Sequence, residues 1–64
     1  MEEKVVWRCR APGPLEVRVE VAQRGDDLFY RRLFEGEVVV ESRITPEKAG
    51  QAFSHLLGEG WHTE

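Results

Sequence analysis

The stretch LFYRRLFEGEVVVESRI, from Leu28 to Ile44, places two runs of strand-forming residues on either side of Glu35-Gly36. Phenylalanine, tyrosine and valine are enriched in β-strands, and a glycine between two such runs can take the positive φ that tight hairpin turns require. The sequence therefore predicts one strand over residues 28–34 and another over residues 37–44, joined as an antiparallel hairpin.

The first of these strands can present either of its sides to a core, because neighbouring side chains in a strand point to opposite faces. The even side carries Leu28, Tyr30, Arg32 and Phe34, and the odd side carries Phe29, Arg31 and Leu33. The residues of the second strand that we expect to point inward are Val38, Val40, Ser42 and Ile44. A two-residue turn would place the odd side with them, whereas a three-residue loop with a bulge would place the even side there.

Two further strands precede the hairpin. VVWRC, residues 5–9, and LEVRVEVA, residues 15–22, alternate between apolar and mostly charged side chains, which is typical of antiparallel strands with one exposed face. APGP, residues 11–14, and QRGDD, residues 23–27, separate the strands, because proline interrupts a hydrogen-bonded ladder and polar residues with glycine favour turns.

Charge and apolar patterning predict how these two strands pair. If Trp7 lies opposite Val17, the apolar side chains of both strands share one face, and Arg8 meets Glu16 on the other. Cross-strand pairs of both kinds contribute about 0.2–1 kcal/mol each, and a one-residue slip would set charged residues against apolar ones. We therefore expect this register.

The segment TPEKAGQAFSHLLGEGW, residues 45–61, predicts a helix. Thr45 is a favourable N-cap, and Pro46 suits the first helical position, where its missing N–H is not needed. Gly58 is the expected stop, and Trp61 is expected to fold back onto the core. The apolar stripe of the helix comprises Ala49, Ala52, Phe53, Leu56 and Leu57.

Together these elements predict one α+β domain over residues 1–64. It is a four-stranded antiparallel β-meander followed by one C-terminal α-helix packed on one sheet face, in the order ββββα. A chain of 64 residues hides only about 60% of its unfolded surface when it folds, so small domains commonly need a further means of stabilisation. One cysteine cannot form an internal disulfide, and we therefore expect a homodimer.

The charge balance bears on partners and location. With 12 acidic and 9 basic residues the net charge is -3, which disfavours general phosphate binding without excluding a local basic patch. No apolar run is long enough to span a membrane, and MEEKVVWRCR lacks the apolar core of a signal peptide, so we expect a cytoplasmic protein. The absence of asparagine and the excess of arginine over lysine fit a protein from a hot environment or a GC-rich genome.

Few residues are candidates for chemistry. Two arginines flank Cys9 and could lower its thiol pKa, but strand alternation points them to the opposite face, so we expect a buried, inert thiol. His55 is expected on a solvated helix face and His62 in a mobile tail, while Asp26-Asp27 is expected simply to form a turn. The sequence indicates no catalytic residues, no cofactor and no metal site, and it predicts that the protein is not an enzyme.

The sheet face opposite the helix is the surface that remains to be explained. It can bind single-stranded nucleic acid through aromatic stacking and arginine contacts, stay solvated and salt-bridged, or form a homodimer contact. Its glutamates would repel a phosphate backbone, which disfavours the first alternative. The candidate interaction surface comprises Val6, Arg8, Arg18, Tyr30, Arg32, Val39 and Arg43.

Four antiparallel strands followed by one helix is an element order that resembles the repeat of two families of single-stranded DNA-binding proteins, the positive cofactor 4 type and the Whirly type. The resemblance covers the whole predicted chain, and it implies a dimer with nucleic acid as a possible ligand. It matches no motif residue by residue, so it transfers no binding residues. The favoured function is a non-catalytic interaction module, with single-stranded nucleic-acid binding as the alternative.

Overall fold

A computed structural model describes residues 2–64 of the chain. Its elements follow the order β1 to β4, then α1, then a short strand β5, which confirms the predicted ββββα arrangement. The element bounds are β1 Glu3–Arg10, β2 Val17–Arg24, β3 Asp27–Phe34, β4 Glu37–Ile44, α1 Pro46–Gly58 and β5 His62–Thr63.

All five strands belong to one antiparallel sheet in the order β4-β3-β2-β1-β5. The first four form the predicted meander, in which each strand pairs with the next one along the chain. The fifth was not predicted: His62 pairs with Arg10 and Thr63 with Cys9, so this part of the tail is not the free segment that we expected. As a result, β4 is the outermost strand at one side of the sheet, and β5 shields part of β1 at the other.

The core lies between α1 and the centre of the sheet. Cys9 and Val19 are fully buried and contact Leu56 of the helix. The half-buried aromatic side chains that pack around them are Trp7, Tyr30, Phe53 and Trp61. The rings of Trp7 and Phe53 meet at a centroid distance of 5.1 Å, which is favourable for a tilted aromatic pair. The predicted return of Trp61 to the core is thus confirmed.

The ends of α1 follow from local chemistry. The Thr45 hydroxyl accepts a hydrogen bond from the Lys48 backbone N–H at 3.2 Å, as expected of an N-cap. At the other end, Trp61 N–H donates to the Leu56 carbonyl at 3.1 Å, and Gly60 N–H donates to the Leu57 carbonyl at 3.1 Å. This is a Schellman motif, and the glycine with positive φ (93°) is Gly60, not the predicted Gly58.

The predicted register of β1 and β2 is wrong. Trp7 pairs with Val21 in place of Val17, and Arg8 pairs with Glu20 in place of Glu16. The connection between β1 and β2 is longer than expected. It is closed by a hydrogen bond from the Ala11 N–H to the Val17 carbonyl at 2.9 Å. The shift spans an even number of residues, so the face assigned to the paired residues is unchanged.

A bulge also divides β1. The register shifts between Val5 and Trp7, which leaves Val6 as the extra residue and sets Val5 opposite Ala22. Because an extra residue reverses the alternation, Val5 lies on the face away from the helix, not inward as predicted. Glu3 is brought to the same face.

The question of which side of β3 faces the helix is answered by a second bulge. The turn is the two-residue Glu35-Gly36, with positive φ at both residues (50° and 85°), yet the register shifts in β4 around Val39. The even side therefore faces the helix, with Tyr30 packed on the core. Val38 pairs with Leu33 on the opposite face, which corrects its predicted inward position.

Candidate interaction surface

The sheet face that α1 leaves uncovered, here called the open face, is centred on Arg31 in β3. Arg31 lies between Glu20 of β2 and Glu41 of β4, which it meets directly across the strands. Its guanidinium is within ion-pair distance of three carboxylates: Nη1 is 3.5 Å from Glu20, Nε is 3.1 Å from Glu41, and Nη2 donates to Glu3. We call these four residues the Arg31 network.

The centre of the Arg31 network, formed by Arg31 and Glu20, is more buried than a surface ion pair. Only 14% of the Arg31 side chain and 8% of the Glu20 side chain are exposed. The Arg31 Nε atom is shielded from solvent and contacts Glu41 as an ion pair without donating a well-directed hydrogen bond. Charges held this deep are stabilising only as a complete set, because removing one partner leaves the others desolvated and unpaired.

The network perturbs the ionisation of its members. Hydrogen bonds from Arg31 and then Arg24 hold the pKa of the Glu3 carboxyl below its ordinary value, against a smaller opposing effect of burial. The hydrogen bond to Glu3 raises the pKa of Arg31, again against burial. Both groups are therefore charged across the physiological pH range.

Arg31 was not among the predicted surface residues. Three predicted arginines that do lie on the open face are also paired. Arg8 donates to Glu20 at 3.1 Å, and Arg18 donates to the Glu64 side chain at 2.9 Å. Arg43 lies 3.7 Å from Asp27. Each of these cations has a carboxylate beside it, so the open face presents neutralised charge and not a basic strip.

The aromatic ring on the open face is also in contact with an arginine of the same chain. Phe29 lies opposite Ala22, and the guanidinium of Arg24 is 5.0 Å from the centre of its ring. This cation–π contact covers the ring face on which a nucleic-acid base would stack. The outward aromatic residue of β3 is therefore Phe29, and its ring contacts Arg24.

Two of the predicted surface residues, Tyr30 and Arg32, lie on the helix-covered face instead. Tyr30 packs against the core, and Arg32 is exposed beside it, between Val19 and Val40. Among residues 2–64, Arg32 is the arginine that lacks an ion pair. The seven predicted residues therefore do not form one continuous surface.

Val39 and its neighbours form the most exposed apolar segment of the sheet. Val38, Val39 and Val40 are 51%, 55% and 47% exposed, and they lie consecutively on the outermost strand β4. Val6, also 50% exposed, is the extra residue of the β1 bulge near the opposite side of the sheet. Val6 and Val39 were both predicted to be exposed, and the structure places Val39 on the outermost strand.

The remaining candidates have structural roles. Cys9 is completely buried, as predicted, and burial together with the Glu64 carboxylate raises the pKa of its thiol. His55 lies on an exposed helix position 3.1 Å from Glu59. An open pocket of about 390 Å³ lies beside the start of α1. It is lined by two acidic residues, Asp26 and Asp27, and two basic residues, Arg43 and Lys48, so it has no excess charge of either sign.

Within residues 2–64, no group of three histidine, cysteine or acidic side chains is arranged to hold a metal ion. In the same residues, no helix has the length and apolar character needed to cross a membrane. Comparisons of the chain with protein-family models, with curated proteins and with solved structures give no match.

Proposed function

We propose that this chain is a non-catalytic interaction module that works as a homodimer in the cytoplasm. The observation that carries the proposal is the run Val38–Val40, which lies about half exposed on the unshielded strand β4. An edge strand offers unpaired backbone N–H and C=O groups, and an apolar edge is a surface on which another strand can be added. Small domains gain stability by completing a core in this way.

The distribution of charge supports the edge over the open face as the contact. On the open face, most charged groups already form ion pairs within their own chain, in the Arg31 network and in the neighbouring pairs. Burying that face against a partner would remove further solvent from charges that are already paired. The β4 edge has apolar side chains that gain from leaving water.

The state of the potential reactive groups supports a non-catalytic role. The Cys9 thiol is fully buried with a raised pKa, whereas a nucleophilic cysteine needs access and a lowered pKa. The unpaired, buried thiol also suits a reducing compartment such as the cytoplasm. The strongly held ionisable groups, Glu3 and Arg31, bind each other and do not line the pocket beside the start of α1.

Sedimentation equilibrium at micromolar concentration tests the proposal. We expect a particle of twice the 7.4 kDa chain mass. Val40→Glu should weaken the dimer at least about tenfold, because it places a charge at the apolar edge. Within its own chain the new glutamate would face Arg32, so the fold of the subunit should be retained.

Val6→Glu is the matched control, because Val6 is equally exposed but lies on β1. It should leave the dimer unchanged. A 7.4 kDa particle for the unmodified chain across the micromolar range, or equal weakening by both substitutions, would contradict a dimer built on the β4 edge.

Single-stranded nucleic-acid binding is the alternative function, and one arrangement favours it. Arg32 is an exposed arginine that lies on the same face as Tyr30 and the exposed residue Phe34. An unpaired cation between aromatic rings is the type of surface that stacks bases and contacts phosphates. The candidate patch is therefore the helix-covered side of β3, not the open face considered from the sequence.

Titration with a short single-stranded oligonucleotide at low salt tests this alternative. Binding should quench tyrosine or tryptophan fluorescence, weaken as salt is raised, and be lost in Arg32→Ala. Arg43→Ala, an exposed arginine on the open face, is the control. Unchanged fluorescence at low salt would reject nucleic-acid binding.

A further inference from the structure

The free side of β4 is suited to pairing with a second strand. The segment from Val40 to Ile44 pairs with β3 without any register shift, since the bulge lies before it at Val39. On the opposite side of the sheet, β1 carries its own bulge, and β5 covers Cys9 and Arg10. Bulges and short covering strands discourage edge pairing, so β4 offers the more regular edge.

The side chains of this segment alternate between the two faces of the sheet. Glu41 and Arg43 lie on the open face, because they pair with Arg31 and Phe29. Val40, Ser42 and Ile44 lie on the helix-covered face. In an antiparallel pair of identical strands, residues that oppose each other share a face, so a residue must lie on the two-fold axis.

Charge selects the residue on that axis. An axis at Glu41 would oppose two glutamates, and an axis at Arg43 would oppose two arginines, both of which are destabilising. An axis at Ser42 sets Glu41 opposite Arg43 of the second copy, twice. It also sets Val40 opposite Ile44 of the second copy, twice, so both charged and apolar pairs match.

The groups at this edge are free to make those contacts. Arg43 is highly exposed, with 71% of its side chain in solvent, and its ion pair with Asp27 is long at 3.7 Å. Glu41 is about half exposed and already contacts Arg31. In the pairing centred on Ser42, Glu41 would therefore bridge Arg31 of its own chain and Arg43 of the second copy. The Arg31 network would become continuous across both subunits.

We infer that two copies join through β4, antiparallel and with Ser42 on the two-fold axis, into one continuous sheet of twice the five strands of the single chain. This inference rests on the proposed homodimer and specifies how it is built. The helix does not obstruct the contact, because Leu56 packs on Cys9 and Val19 while Val40 and Ser42 stay exposed.

Cysteine cross-linking tests the register in the full-length chain. Opposed residues of an antiparallel pair have Cα atoms about 4.5–5.5 Å apart, which a disulfide can span. We expect Ser42→Cys to form a disulfide-linked dimer in nearly full yield under mild oxidation. The native Cys9 is buried, so the unmodified chain should give no cross-link.

Val40→Cys and Glu37→Cys are the matched controls on the same strand. With Ser42 on the axis, the two copies of residue 40 are four residues apart along the ladder, about 14 Å, and those of residue 37 about 34 Å. Both distances exceed the span of a disulfide. Cross-linking of either control in preference to Ser42→Cys would overturn the register while leaving the dimer intact.

Charge reversal provides a second, independent measurement. Arg43→Glu should weaken the dimer about tenfold, because it sets like charges opposite each other at two symmetric positions. Arg43→Lys keeps the positive charge and should leave the affinity close to that of the unmodified chain. Unchanged affinity of Arg43→Glu, or equal weakening by both variants, would overturn the cross-subunit pairs. A monomeric unmodified chain would instead overturn the proposed homodimer itself, so the two failures are distinguishable.

Discussion

The helix-covered face and the open face of the same four strands are held together by different interactions. On the helix-covered face, Cys9 and Val19 are buried with Leu56 under four aromatic side chains. On the open face, the corresponding central position is taken by the Arg31 network, with Glu20 nearly as buried as the apolar core. A single helix can cover only one face of the sheet. The other face is covered by paired charged side chains, whose aliphatic portions lie along the sheet.

The difference has a general consequence for stability. Burial of apolar area depends little on pH and salt, whereas ion pairs depend on both. The two faces should therefore respond differently to substitutions and to solution conditions. Substitutions on each face separate the two contributions, provided that all variants are compared at one protein concentration, because a dimer couples stability to concentration.

Leu56→Ala should be the most damaging. It removes a nearly fully buried side chain from the contact with Cys9 and Val19, so we expect the free energy of unfolding to fall by about 2–5 kcal/mol. Leu57→Ala, at the next and 41% exposed position, is the control and should cost less than about 1 kcal/mol. Urea denaturation followed by tryptophan fluorescence measures both, and similar losses would contradict a core centred on Leu56.

Arg31→Met should cost about 2 kcal/mol, because it removes the shared cation from three carboxylates and leaves the buried Glu20 with Arg8 alone. The methionine keeps an aliphatic stem in place of the arginine stem. Arg32→Met, at the next residue on the other face, is the control and should change stability by no more than about 0.5 kcal/mol. Equal stability of Arg31→Met and the unmodified chain in the same denaturation experiment would show that the network contributes nothing to folding.

Lowering the pH should selectively reduce the stability that the ion pairs of the open face contribute. The pKa of Glu3 is lowered in the folded protein by Arg31 and Arg24, so its stabilising contribution is present above its unfolded pKa, near 4.3, and is lost as the pH falls through the lower folded value. Glu3→Gln should therefore reduce the melting temperature at pH 7 and have a diminishing effect as the pH falls below about 4. A constant difference at every pH would contradict this assignment.

Arg10→Ala should have the smallest effect. Its contact with Glu16 is 3.6 Å long, and both side chains are about half exposed, so we expect a change within about 0.5 kcal/mol. Arg10→Ala is compared with Arg31→Met because each substitution removes the arginine of an ion pair, one exposed and one largely buried. A loss as large as that of Arg31→Met would show that burial does not determine the strength of these pairs.

Much of the fold could be predicted because its signals are local. The bounds of β4 and the cap at Thr45 follow from turn and capping residues, and the structure has both where predicted. The errors arose where no local signal exists. Both bulges lie within runs of valine, at Val5-Val6 and Val38–Val40, where alternation between apolar and polar residues cannot show a change of face.

Those bulges also explain what was missed at the candidate site. Glu3 reaches Arg31 only because the β1 bulge turns it to the open face, and its distance of 28 residues along the chain gave no hint of contact. The register of β1 and β2 was predicted wrongly for a related reason. Opposite charges recur along both strands, so several registers that differ by an even number of residues pair opposite charges equally well. The exposed arginines were visible in the sequence, but their partners were set by tertiary structure.

The short strand β5 has a consequence for the order in which the chain folds. The hairpins of the meander close over few residues, whereas the pairing of Cys9 with Thr63 joins positions 54 residues apart. Contacts between such distant positions carry a larger loop-closure cost and form slowly. The C-terminal tail should therefore pair with β1 last during folding and separate from it first during local unfolding. Its transient release would expose the backbone edge of β1 at Cys9 while the rest of the sheet stays intact.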